Sequence, residues 1–231
     1  MESQQIMLML PLWYVVFLLS ITAHEGAHAL VAKIGGDDTA YLGGQVTLNP
    51  VPHVMREPFG TVVIPLLTFF LYQGGWMMGW ASAPYDPRWE QRYPRRAATM
   101  ALAGPLANLT LAMLALVGLK IGIFLDRLER PFQATYDKIV VPVTPGDGIA
   151  EGAGQFLSIL LLLNMVLFVF NLIPLPPLDG ASVLGGLFGP VRRFNQWLRQ
   201  TPLGVLIGIV IAWKLLGVLF HPFYQFVVNF L

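Results

Sequence analysis

His24-Glu25-Gly26-Ala27-His28 interrupts an apolar run that extends from Ile6 to Ile34. A run of that length can cross a bilayer as one helix, for which about 20 apolar residues suffice. On a helix, residues four apart share a face, so His24 and His28 direct two imidazoles toward one point, with Glu25 beside them. Ionisable groups inside a membrane span are costly and by default mark a functional site. Two histidines at this spacing are candidate ligands of a single Zn²⁺, and the glutamate between them is placed to act as a general base. The chemistry implied is hydrolysis inside a bilayer.

Composition agrees with a membrane setting. The chain has 231 residues, 55% hydrophobic and 12% charged, with a mean hydropathy of +0.63. That is too apolar for an ordinary soluble domain and reads as a polytopic, all-α membrane protein. Met1 to Gln5 hold Glu2 and no Lys or Arg, so the first apolar segment is expected to stay as a span instead of being cleaved as a signal peptide. With no cysteine, any metal must be held by imidazole and carboxylate. A net charge of +1 gives no basis for nucleic-acid binding.

Segments 6–34, 97–123, 155–173 and 203–220 are long and apolar enough for four transmembrane helices. The stretch 60–80 is different, because Tyr72-Gln73-Gly74-Gly75 breaks it after a short apolar core, and it is expected to be re-entrant. Residues 41–48 alternate before Asn49-Pro50, which predicts a short membrane-associated β-hairpin or strand. The loops 81–96 and 124–154 are connectors too small for separate domains, so residues 1–231 read as one membrane-embedded domain. Its core covers about 6–185, with an extra C-terminal helix at about 203–220.

Charge placement orients this arrangement. If 60–80 is re-entrant, one side holds Lys33, Arg56, Arg88, Arg92, Arg95, Arg96, Arg192, Arg193 and Arg199, and the other only Arg127, Arg130 and Lys138. Nine positives against three make the first side cytoplasmic, with the N-terminus extracytoplasmic. A full crossing by 60–80 weakens the ratio to seven against five.

A hydrolytic zinc has three protein ligands and one open position. The convincing third ligand is Asp179, within Asn171-Leu172-Ile173-Pro174-Leu175-Pro176-Pro177-Leu178-Asp179-Gly180, where prolines break a membrane helix. With re-entrant 60–80, all three ligands fall toward the cytoplasmic ends of parallel helices; with a full crossing, Asp179 would emerge on the opposite face.

Together the H-E-x-x-H and N-x-x-P-x-P-x-L-D-G motifs resemble the site-2 protease family of intramembrane zinc metalloproteases. Gly44 to Pro50, His53, Phe59-Gly60-Thr61, Gly79-Trp80-Ala81 and Ala103 to Asn108 are similar to stretches of its compact bacterial members. Those members lack the PDZ and nucleotide-sensing domains of larger relatives, so regulation by such modules is not expected.

The resemblance implies one Zn²⁺ per chain held by His24, His28 and Asp179. It also implies Glu25 as catalytic acid/base, transmembrane protein substrates and a bacterial-type plasma membrane. Asn171 and Asn108 are candidates for substrate or oxyanion contact, and Gly44, Gln45, Val46, Thr47 and Leu48 for a strand that holds unwound substrate. Asn108 can equally serve helix packing, and Asn171 the carbonyls freed by the proline break.

His53 can approach the metal or be structural, and His221 reads as interfacial. Trp76, Trp80, Trp89 and Tyr93 suggest an interface belt. Lys214, in mid-span, needs protein, water or a carboxylate to face. The alternative function is a zinc-binding transporter or sensor, which predicts further ligands along a path; an inactive relative would have lost a ligand or the glutamate. Oligomeric state is not legible.

Overall fold

The computed structural model describes residues 3–132, 135, 136 and 138–231; Met1, Glu2, Gln133, Ala134 and Asp137 lie outside it. In chain order the elements are α1 (Ser3–Ile34), α2 (Thr39–Leu42), α3 (Pro50–Arg56), a π-helical turn (Phe59–Val63) leading into α4 (Ile64–Leu71), and α5 (Pro87–Arg92). They continue with α6 (Pro94–Phe124), β1 (Leu128–Glu129), β2 (Val141–Pro142), α7 (Gly148–Asn171), α8 (Asp179–Leu187), α9 (Gly189–Gln200) and α10 (Gly204–Val228). Local chemistry sets the starts: the side chains of Asn49, Asp86 and Asp147 accept from the backbone N–H of Val51, Arg88 and Ala150. Pro50 and Pro87 follow their caps at the first helical position, where no N–H is needed.

Among the described residues, four helices, α1, α6, α7 and α10, are long and apolar enough to cross a membrane. They coincide with the expected spans. α6 packs between α1 and α7, and α8 leans on α6. Trp13, Phe17, Phe69, Met77, Leu119, Ile159 and Leu161 fill one half of this interior. α10 is peripheral, touching α7 and α9. Lys214 and Gln225 apart, its outer surface is mostly exposed apolar side chains, a surface suited to lipid and not to water.

The 57–86 region turns back. The axis of Phe59–Leu71 lies 112° from that of α3. After Gln73, at φ +53°, the chain returns as an extended strap beside the helix it has just left. Met78 N–H donates to Thr68 Oγ1, and Trp80 N–H to the Gly60 carbonyl. Asp86 N–H then donates to Asp37 Oδ2, tying the strap to the loop that follows α1. Entry and exit are therefore at one end of the bundle, as a re-entrant segment requires. Any side chain at Gly60 or Gly79 would strike the other limb, at 2.4 Å from the Trp80 carbonyl and 2.2 Å from the Gly60 carbonyl.

The strand expected at 41–48 does not form. Tyr41 and Leu42 end α2, Gly43 and Gly44 turn the chain, Gly44 at φ +72°, and among the described residues no strand pairs with Gln45–Leu48. The small antiparallel sheet lies in the 124–154 loop, where β1 pairs β2 through Leu128–Pro142 and Glu129–Val141. Local alternation could not foresee this, because a two-residue ladder depends on which segments the helices bring together.

The aromatic belt is also partly revised. Trp80 is exposed, but Trp89 is buried and donates to the Gly35 carbonyl, and Trp76 stacks edge-on against Trp13. Lys214 is exposed on α10, with no hydrogen-bond or ion-pair partner among the described residues.

Candidate metal centre

Three nearly equal distances define the centre. His24 Nε2 and His28 Nε2 are 3.0 Å apart. Asp179 Oδ2 lies 3.1 Å from the first and 3.3 Å from the second. His24 and His28 come from one face of α1, and Asp179 is the first residue of α8, carried to them by the break after α7.

The second nitrogen of each ring decides what the first can do. His24 Nδ1 lies 2.6 Å from Asn108 Oδ1 and His28 Nδ1 lies 2.8 Å from the Met100 carbonyl oxygen. Both partners only accept, so both Nδ1 atoms carry the hydrogen and donate. With Nδ1 so engaged, Nε2 is the nitrogen each ring turns inward, and a neutral ring offers its lone pair there, facing a carboxylate oxygen of Asp179. Three acceptors converging at this spacing call for a cation. Ligands about 2.0–2.1 Å from a tetrahedral zinc stand ~3.3 Å apart, close to what is observed. The His-His-Asp donor set fits Zn²⁺ and leaves a fourth position for water or substrate.

Asn108 is fixed in turn. Its Nδ2 donates to Asn164 Oδ1 at 2.8 Å and to the Ser20 carbonyl at 3.3 Å. Asn164 Nδ2 donates to Ser20 Oγ at 2.8 Å, and Ser20 Oγ to the Val16 carbonyl at 2.7 Å. Ser20, Asn108 and Asn164 are each 0% exposed. The chain of donors is directional and closed, so the amide of Asn108 cannot flip without unpairing buried groups. Such supporting shells orient metal ligands and fix their tautomers.

Two glycines make room for the centre. A side chain at Gly104 would lie 2.6 Å from His24 Nε2 and 2.4 Å from His28 Nε2, inside the space the ion needs. At Gly180 it would lie 2.3 Å from the Leu172 carbonyl, pushing α8 and its Asp179 off the end of α7. Asn195 Nδ2 steadies the same segment from α9, donating to the Ala181 carbonyl at 2.7 Å.

The centre borders a cavity of about 570 Å³ that Glu25, Asn171, Asp179, Arg199 and the strap residues Gly79–Tyr85 help to line. Glu25 is buried beside the ligands. Asn171 faces the cavity and donates to the Leu167 carbonyl at 3.1 Å, so it backs the end of α7. At the mouth, burial first, and then the Glu90 carboxylate, raises the Tyr85 phenol above its ordinary value, which keeps it a neutral hydrogen-bond donor.

Gly44–Leu48 run beside α1: the Thr47 carbonyl comes within 2.9 Å of where a Gly26 side chain would begin. His53, 1% exposed, bonds that same carbonyl through Nε2 at 3.2 Å and stands apart from the cluster of His24, His28 and Asp179. His221 lies elsewhere, against the Tyr136 hydroxyl. Among the described residues, the further ligands that a transport path predicts do not line up. Asn164 and Ser20 are marked in the sequence only as polar residues within apolar spans, and the Met100 carbonyl, a backbone group, has no mark in the sequence at all. Gly104 is marked there only as part of the stretch Ala103 to Asn108.

Comparison with known proteins agrees with this geometry. The model of peptidase family M50 matches residues 12–215. The chain is 36% identical over 211 residues to "Putative zinc metalloprotease YwhC" of Bacillus subtilis, covering 90% of this chain and 83% of that one. It is 29% identical over 209 residues to "Putative zinc metalloprotease Rip2" of Mycobacterium tuberculosis, covering 90% and 70%. Against the protein of that name in Mycolicibacterium smegmatis, identity is 30% over 200 residues, covering 84% and 64%. No solved structure matches. With both motifs intact, four apolar spans and a family match across most of its length, the chain belongs to peptidase family M50, the site-2 proteases, which are membrane-embedded zinc metalloproteases.

Proposed function

We propose that residues 1–231 act as one catalytic domain that hydrolyses peptide bonds in transmembrane substrate helices near the cytoplasmic side, with one zinc per chain held by His24, His28 and Asp179. The observation that carries this reading is the convergence of two imidazole lone pairs and a carboxylate oxygen beside Glu25 in a cavity that an extended strap lines. The orientation rests on the nine-to-three distribution of positive residues, with the N-terminus outside and a bacterial-type plasma membrane as the setting.

When bound, zinc supplies Lewis acidity that makes water a usable nucleophile near neutral pH and polarises a carbonyl. Glu25 takes the proton of the attacking water and returns it to the leaving amine. Asn108 and the Met100 carbonyl hold the two imidazoles in one tautomer throughout. Asn171 keeps a second amide hydrogen that can reach toward the substrate carbonyl or its oxyanion. A substrate helix has its carbonyls occupied internally, so it must unwind before cleavage, which favours substrates with helix-weakening residues near the cytoplasmic end of their span.

The test compares zinc content and cleavage of model transmembrane substrates for wild type and Glu25→Gln. Equal zinc with cleavage by wild type alone supports the reading. Zinc in both, no cleavage by either and zinc flux into liposomes would replace it with transport.

A further inference from the structure

Lys214 stands near the middle of α10, ten residues after Gly204 and fourteen before Val228. At 1.5 Å per residue that is about 15 Å and about 21 Å from the helix ends, beyond the reach of a lysine stem to either interface along an upright span. The residue is exposed, and among the described residues nothing hydrogen-bonds to it or pairs with it. On the same side of α10, at helical spacing, lie Ile207, Val210, Ile211, Gly217 and Val218, all exposed. Open space surrounds the position of a side chain at Gly217, beside the lysine. A mid-span cation is costly in lipid unless it meets a partner, and a neighbouring glycine lets another helix approach closely.

We infer that this face of α10 docks a transmembrane helix of a different protein, one that carries an aspartate or glutamate near its own mid-span. A second copy of this chain cannot supply that group. Within the four spans the only acidic residues are Glu25, buried at the metal centre, and Glu151, in the first turn of α7 and 3.6 Å from Lys138. The docked helix is also not the one being cleaved. Ile209 borders the metal cavity, and five residues at 100° each place Lys214 about 140° around the helix from it, so α10 stands between the two. The partner is an accessory membrane protein, and its docking does not depend on the proteolytic reading.

Energy transfer between labelled full-length protein and labelled synthetic leucine-alanine helices of about 20 residues, co-reconstituted in phosphatidylcholine vesicles, tests this. Helices with a central aspartate should associate at least about fivefold more tightly than those with a central leucine. Lys214→Leu should abolish the preference, and Lys214→Glu should transfer it to helices with a central lysine. Zinc content and basal cleavage report that both variants are folded. Equal association of the aspartate and leucine helices with wild type would mean a lipid-facing lysine and overturn the proposal. Self-association of labelled copies that Lys214→Leu removes would overturn it in favour of a homodimer.

Discussion

α7 and α10 are spans of 24 and 25 residues, both apolar by composition, yet they sit in the molecule very differently. In α7, 56% of the most apolar window is buried, against 22% in α10. Each carries a costly polar group well inside the span. In α7 it is Asn164, wholly enclosed, donating to Ser20 and accepting from Asn108. In α10 it is Lys214, exposed and unpaired among the described residues. Hydropathy locates a span but does not say whether it is interior or rim, and a polar residue has opposite meanings in the two places. Inside the bundle it belongs to a network that ends on His24 Nδ1; on the rim it is turned away from the rest of the described chain.

The sharpest test of that contrast is at the centre served by the interior helices. Glu25→Gln should retain zinc while cleavage falls by about 10²–10⁴-fold, measured by elemental analysis and substrate cleavage on the same sample. Retained cleavage would remove the glutamate from the mechanism.

Gly104→Ala, the addition of one methyl on α6, should displace the imidazoles, because the new carbon would lie within 2.6 Å of both Nε2 atoms. Zinc should be largely lost, with a stability cost of about 1–3 kcal/mol in thermal unfolding. Asn108→Ala leaves His24 Nδ1 without its acceptor and should weaken zinc by about 10- to 100-fold in a chelator competition. Asn164→Leu should produce a smaller change of the same kind, since it acts one step further from the metal.

At the bundle end, Asp37 tests the strap that walls the cavity. Burial acts to raise its carboxyl, but donation from Thr39 N–H, Thr39 Oγ1 and Asp86 N–H outweighs this and holds it below the ordinary 3.8. A depressed folded value means the contribution is complete above the ordinary carboxylate range and is lost as pH falls through the folded value. Asp37→Ala should therefore cost about 1.5–3 kcal/mol at neutral pH, and the difference from wild type should shrink only in strong acid. At the rim, Lys214→Leu should leave basal cleavage within about twofold of wild type. A large loss there would erase the distinction between α7 and α10.

Residue types and spacing alone determined the four spans, because each is longer than a soluble core helix and almost free of charge. They also named the candidate ligand set that the fold brings together, since H-E-x-x-H is local on one helix and the Pro-rich L-D-G segment offers one carboxylate beside a helix break. The shortness of the apolar core in 60–80 and its Tyr72–Gly75 break by themselves point to a re-entrant segment. Tertiary structure decided the rest, for reasons of long-range contact. Whether Asn108 serves the substrate or His24 depends on a residue 84 positions away. Whether 41–48 is a strand depends on a partner that never arrives, while the sheet forms between segments no periodicity singled out. Gly104 matters because of what faces it across the interhelical gap. The burial of Asn164 and the exposure of Lys214 depend on which helices pack on which sides. A chain specifies its own local preferences, but which side of a helix meets protein and which meets lipid is settled only when all the spans compete for the same interior.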